Sequence, residues 1–241
     1  MGREEFLRAL RTNVLGRRKM HPLMVLLHEG ELSREQLKSW IVNRFYFQEN
    51  VPVKDAVILS KCPEPDVRRL WISRLLRREG MQRELGDVEG WVELATAAGI
   101  SRERLMGSRV LPGVRFAVDS YVNFARTSSW LEGVAASLVE QFAKEELLAR
   151  IDAFKRHYSW VAPSGLKFFM SRLAAVDESN EVALGIVMKY CITRKAQNRA
   201  VSSAVFASDV NWSINDAIYM DAFSQSLASP EREKGRHQTA S

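Results

Sequence analysis

A chain of 241 residues, 46% hydrophobic and 27% charged, has the composition of a folded globular protein, not of a disordered, collagen-like or low-complexity one. Two cysteines, Cys62 and Cys191, are too few for a disulfide framework, no apolar run nears the ~18–20 residues of a membrane span, and no signal-peptide core is present, so a soluble, cytoplasmic protein without a membrane partner is expected. The net charge of +6 admits either a nucleic-acid face or a pocket for a polyanionic small molecule, and charge alone does not separate them.

Glycine and proline fall mostly between long stretches of helical periodicity, which points to an all-α fold. A first helix is expected over residues 4–15, followed by the basic loop Arg17-Arg18-Lys19 and a short helix from Pro22 to near Gly30. Ser33 and Gln36 form a capping box ahead of a long apolar segment, 34–60, in which Pro52 predicts a kink or a local break. A helix over 66–79 carries Arg68, Arg69, Arg74, Arg77 and Arg78, read as a solvated face with Leu70, Trp71, Leu75 and Leu76 turned inward. Helices are expected at 87–98, 101–106 and 112–127. A second capping box, Ser129 with Glu132, predicts one helix over 130–154, and further helices follow at 166–175, 181–195 and 196–227. No repeat or linker interrupts the chain, so one helical bundle over residues 1–228 is expected, with a disordered polar tail at 229–241.

Phosphate-loop, dinucleotide-binding, zinc-protease and serine-hydrolase motifs are all absent. Of the four histidines, His21 and His28 are seven apart and make half a metal site at best; both are read as packing or surface residues, and no metal is expected. The segment 34–60 is more informative. Arg44, Gln48, Val51 and Asp55 share one stripe of a helix, with Lys54 beside Asp55, inside a coat of Trp40, Ile41, Phe45, Tyr46, Phe47, Val57, Ile58 and Leu59. A polar row on a buried helix must be ion-paired internally or must face a ligand, and the sequence leaves both open. Tyr121, Arg126, Arg150 and Arg172 also stand in or beside apolar stretches. Arginines and a lysine on separate helices would together suit a ligand with several carboxylates.

Three stretches carry a resemblance. Asn43-Arg44-Phe45-Tyr46-Phe47-Gln48, Pro52-Val53-Lys54-Asp55-Ala56 and Lys61-Cys62-Pro63 form the first. Leu111-Pro112-Gly113-Val114-Arg115-Phe116-Ala117-Val118-Asp119 with Tyr121 and Asn123-Phe124-Ala125-Arg126 forms the second, and Gln197-Asn198-Arg199 the third. Together they resemble the signatures of the pyrroloquinoline quinone synthases, in register from about residue 5 to residue 225 apart from a single-residue gap near 108. The resemblance implies a seven-helix, haem-oxygenase-like bundle related to TenA proteins, a homodimer, and no nucleic-acid partner. It also implies ring closure and oxidation by O2 of a flat tricarboxylate, with pyrroloquinoline quinone or a similar compound as product or ligand and no metal or organic cofactor.

By the same resemblance the substrate-contacting positions are kept at Arg44, Gln48, Lys54, Asp55, Tyr121, Arg150 and Arg172. Asp55 and Tyr121 are the candidates for catalysis, and the others, joined by Arg18 and Arg78, for binding. Three catalytic histidines of the family are replaced, by Arg18, Arg78 and Leu147; two pocket tyrosines become Phe47 and Phe168, and a pocket lysine becomes Ala207. Arginine stays protonated and leucine has no proton to exchange, so the losses fall on proton transfer while carboxylate-binding groups survive. Three readings follow: a diverged oxidase of the family, a non-catalytic carrier or sensor on the same scaffold, and a related oxidase with another substrate.

Overall fold

The computed structural model describes residues 1–15, 21–81, 84–140 and 144–227. Within them the chain is all-α: α1 Arg3–Leu15, α2 Pro22–Glu29, α3 Arg34–Lys61, α4 Pro65–Glu79, α5 Asp87–Ala97, α6 Arg102–Met106, α7 Pro112–Thr127, α8 Trp130–Ala136, α9 Lys144–His157, α10 Lys167–Tyr190 and α11 Arg194–Leu227. A two-rung antiparallel ladder between Gly80–Met81 (β1) and Glu84–Leu85 (β2), which helical periodicity does not foresee, links α4 to α5. No described helix is long and apolar enough to cross a membrane.

The central helix is α3, packed against α7, α5, α4, α8 and α11. Its capping box forms as the sequence predicts, with Ser33 accepting from Gln36 N and Gln36 reaching back to Ser33 N. Buried residues occur around its whole circumference, from Leu37, Trp40 and Ile41 to Phe47, Val51 and Ile58. This burial explains why Pro52 causes no local break: the helix is continuous from Arg34 to Lys61, because packing on several sides outweighs one missing hydrogen bond.

Three further expectations change. The segment expected as one helix over 130–154 divides into α8, a 3₁₀ turn at Ser137–Glu140, and α9. Ser137 Oγ donates back to Gly133 O at 3.0 Å and accepts from Lys54 Nζ at 2.6 Å, a tie that competes with regular helix continuation. The helices expected at 166–175 and 181–195 are one, α10, and its last residues pass to α11, where Thr193 Oγ1 accepts from Ala196 N. On α4 the expected faces hold in part: Trp71 is buried and Arg69 exposed as predicted, but Arg74 and Arg78 are buried with Val67, while Leu70 and Leu76 are exposed. The polar tail, the loop holding Arg18 and any role for Arg18 lie outside the described residues.

Candidate functional site

Six helices enclose a cavity of about 80 Å³. On α3, Trp40, Arg44, Phe47 and Gln48 stand one and two turns apart, so helical spacing delivers them to the same wall. Opposite them α4 contributes Arg78, α9 contributes Glu146, Leu147 and Arg150, and α10 contributes Phe168 and Arg172. His21 and Met24 at the start of α2, and Ser208, Asn211, Trp212 and Asn215 on α11, close the remainder. Four arginines therefore reach one cavity from four different helices, among aromatic rings.

Each guanidinium has a defined seat. Arg44 Nη1 donates to Asn211 Oδ1 at 3.1 Å and lies 4.5 Å from the centre of the Phe47 ring. Arg150 pairs with Glu146 one turn away and sits over Trp40 and Phe169, at 5.3 and 5.6 Å. Arg78 Nη1 and Arg172 Nη1 both donate to Asp87 Oδ2, at 2.6 and 3.2 Å.

Behind this wall runs a buried ionic chain. Asp55 is fully buried; its Oδ1 lies 3.0 Å from Lys54 Nζ, and its Oδ2 accepts from Arg74 Nε at 2.9 Å and lies 3.9 Å from Arg78 Nε. Lys54 Nζ also donates to Ser137 Oγ and, at 3.4 Å, to the Tyr121 hydroxyl, which in turn donates to Ala136 O. Isolated buried charges cost several kcal/mol each, so these groups hold one another in place. The two sequence alternatives for the polar row of α3 thus divide along its length. Arg44 and Gln48 face the cavity, and Asp55 is paired inside the protein.

Of the residues singled out from sequence, Arg44, Gln48, Arg78, Arg150 and Arg172 come together on the cavity. Lys54, Asp55 and Tyr121 do not line it. The Tyr121 ring stacks parallel to Phe47 at 6.1 Å, so Phe47 stands in the cavity wall and Tyr121 lies behind. Arg126 is exposed and lines no part of it. Leu147 and Phe168 are on the wall, and Ala207 is buried on α11, where its carbonyl accepts from Asn211.

Glu146 and the α11 wall were not foreseen from the sequence, and Arg74 was expected on the solvated face; His21 and Trp40 are buried, in keeping with packing roles. The spacing of Glu146 and Arg150 was the available signal. His21 is a helix cap rather than part of a helix face: Nδ1 accepts from Leu23 N, and Nε2 therefore donates to Asp216 Oδ1 at 3.1 Å. Its ring packs edge-on against Trp212, and burial lowers its pKa from 6.5 despite the Asp216 carboxylate. Both nitrogens are committed within the protein, so His21 shapes the wall.

Residues 10–217 match the TENA/THI-4/PQQC family model. A pyrroloquinoline-quinone synthase of Pseudomonas aeruginosa is 47% identical over 91% of this chain and 88% of its own length. A protein of the same name from Cronobacter sakazakii is 43% identical, over 90% and 87%. Among solved structures, a domain of unknown function with a haem oxygenase-like fold from Shewanella denitrificans superposes with a TM-score of 0.80 over 95% of this chain and 97% of its own, at 12% identity. A TenA homologue from Pseudomonas syringae superposes at 0.70 over 90% and 92%, at 17% identity.

Proposed function

The chain belongs to the TENA/THI-4/PQQC family, and from that premise we propose that it is a cofactorless oxidase of the pyrroloquinoline-quinone synthase type, diverged in activity. Its substrate is a planar aromatic polycarboxylate, its oxidant and co-substrate is O2, and its chemistry is oxidation with ring closure. The observation that carries this reading is the convergence of Arg44, Arg78, Arg150 and Arg172, from α3, α4, α9 and α10, on one cavity with aromatic walls. Guanidinium forks bind carboxylates bidentately, and several forks at fixed angles select a ligand with several carboxylates.

In this reading Arg44, Arg150 and Arg172 clamp carboxylates and Gln48 bonds a ring heteroatom or quinone oxygen. Asp55 orients the clamp through Arg78 and Arg74, while Lys54 and Tyr121 fix Asp55 and the Phe47 wall from behind. Oxidation also sheds protons, which need an acceptor on the wall. Glu146, a carboxylate lining the cavity one turn from Arg150, takes that role in place of the family's histidines. The chain acts as a homodimer, as the resemblance implies; light scattering should give about twice the chain mass of 27.5 kDa.

The second reading, a non-catalytic carrier or sensor of such a quinone, is favoured by Arg78 and Leu147 at positions where the family has histidine. Neither residue exchanges a proton near neutrality. A visible-absorbance titration with pyrroloquinoline quinone, followed by O2 uptake on adding the ring-open precursor, separates the two. A shifted spectrum with many turnovers supports the oxidase, and Glu146→Gln should then lower turnover by about 10²-fold or more without weakening binding. Stoichiometric binding without turnover supports the carrier. No binding rejects both.

A further inference from the structure

The cavity is about 80 Å³, whereas sites for ligands of this class enclose about 300–1,000 Å³. A tricyclic tricarboxylate does not fit it as it stands. A second cavity, of about 600 Å³, lies against it beside α4, α5 and α10. The two share three residues, Arg78, Phe168 and Arg172, which are therefore the partition between them. Phe168 takes its place by lying over Gly90, where an added Cβ would meet the ring at 3.2 Å.

Asp87, the first residue of α5, faces this outer cavity. One of its oxygens receives both Arg78 and Arg172, so this carboxylate bridges the two charged members of the partition. Its side chain is only 12% exposed, and among the described residues it sits in a cavity lined by five cationic side chains and two acids, itself and Glu93. The arrangement depends on arginine at 78, whose fork reaches Asp87 while its Nε stays near Asp55.

We infer that Asp87 is a displaceable counter-ion, an internal carboxylate that holds the partition shut until a carboxylate of the incoming ligand replaces it on Arg78 and Arg172 and joins the two cavities into one site. This inference rests on the polycarboxylate reading above. The exchange substitutes one carboxylate for another on the same two forks, so it needs no new desolvation of the arginines. Arg74, Arg77 and Lys167 on the outer wall favour the arrival of an anion.

The test is equilibrium and stopped-flow binding of pyrroloquinoline quinone, and of benzene-1,3,5-tricarboxylate as a non-quinone probe, to the wild-type protein and Asp87→Asn. The variant should bind both ligands about ten-fold tighter and with faster association, because the carboxylate shared by the two guanidinium groups no longer competes. Unchanged or weaker binding by a variant that melts normally would overturn the latch and leave the ligand reading intact. Failure of both ligands to bind either protein would overturn the ligand reading and the latch with it. Should Asp87→Asn not fold, a crystal structure of the wild-type complex decides. Asp87 beyond about 4 Å from both guanidinium groups supports the latch, and both pairs intact overturn it.

Discussion

His28 buries Nε2 without a hydrogen-bond partner among the described residues, and burial, then the charge of Arg150, lower its pKa from 6.5. Burial lowers that of His21 too. The folded protein therefore binds these protons less readily than the unfolded chain, so the stability they contribute above 6.5 is lost as pH falls through that value toward the folded pKa values. The melting temperature should drop by several degrees between about pH 7.5 and 5.5, and His28→Gln should flatten that slope; an unchanged slope would exclude His28 as a source. Arg78 offers a test in the opposite direction. Arg78→His puts a group titrating near neutrality on the cavity wall, so O2 uptake with the ring-open precursor should rise at least about ten-fold and gain a pH limb near 6–7. A flat pH profile would mean that the proton acceptor lies elsewhere.

At the scale of elements, Lys61 at the end of α3 closes the C-terminus of α7. Its ammonium group donates to the carbonyls of Ala125, Arg126 and Ser128, groups that the last turn of a helix leaves without intrahelical partners. Lys61→Met should cost about 1.5–3 kcal/mol in urea unfolding, and a loss below ~0.5 kcal/mol would show that water replaces the ammonium freely. The crossing of α8 and α3 is equally specific. A Cβ at Gly133 would come within 2.7 Å of Ile58 Cγ1, so Gly133→Ala should destabilise by about 1–3 kcal/mol, and Ile58→Val in the same chain should recover part of it. These contacts also explain where element boundaries were legible. The capping boxes at Ser33 and Ser129 depend on residues within one turn and could be read directly. The break after α8 depends on Lys54, 83 residues before Ser137, and no local pattern contains it.

Across the whole molecule, positive charge is arranged in depth. Lys54, Asp55, Arg74 and Arg78 are each at most 4% exposed, and they continue through Asp87 to Arg172 as one ionic chain between the core and the cavity. Such partners should couple strongly. In a double-mutant cycle, Asp55→Asn and Arg74→Met should each cost several kcal/mol, yet together cost at least ~1 kcal/mol less than their sum; simple additivity would show that they are energetically separate. The sequence by itself determined the all-α fold, both capping boxes, the family resemblance and the arginines at 44, 150 and 172, because helical periodicity, caps and collinear motifs are properties of neighbouring residues. Which face of α4 is buried was decided only in the tertiary structure. There the carboxylates of Asp55 and Asp87 draw Arg74 and Arg78 inward and leave Leu70 and Leu76 outside, against the hydrophobic pattern. Tertiary packing likewise separated Arg44 and Gln48, which face the cavity, from Asp55, Lys54 and Tyr121, which stand behind it. Whether a polar side chain on a buried helix meets a ligand or an internal partner depends on what the opposite helix presents, and only the folded chain brings that partner into place.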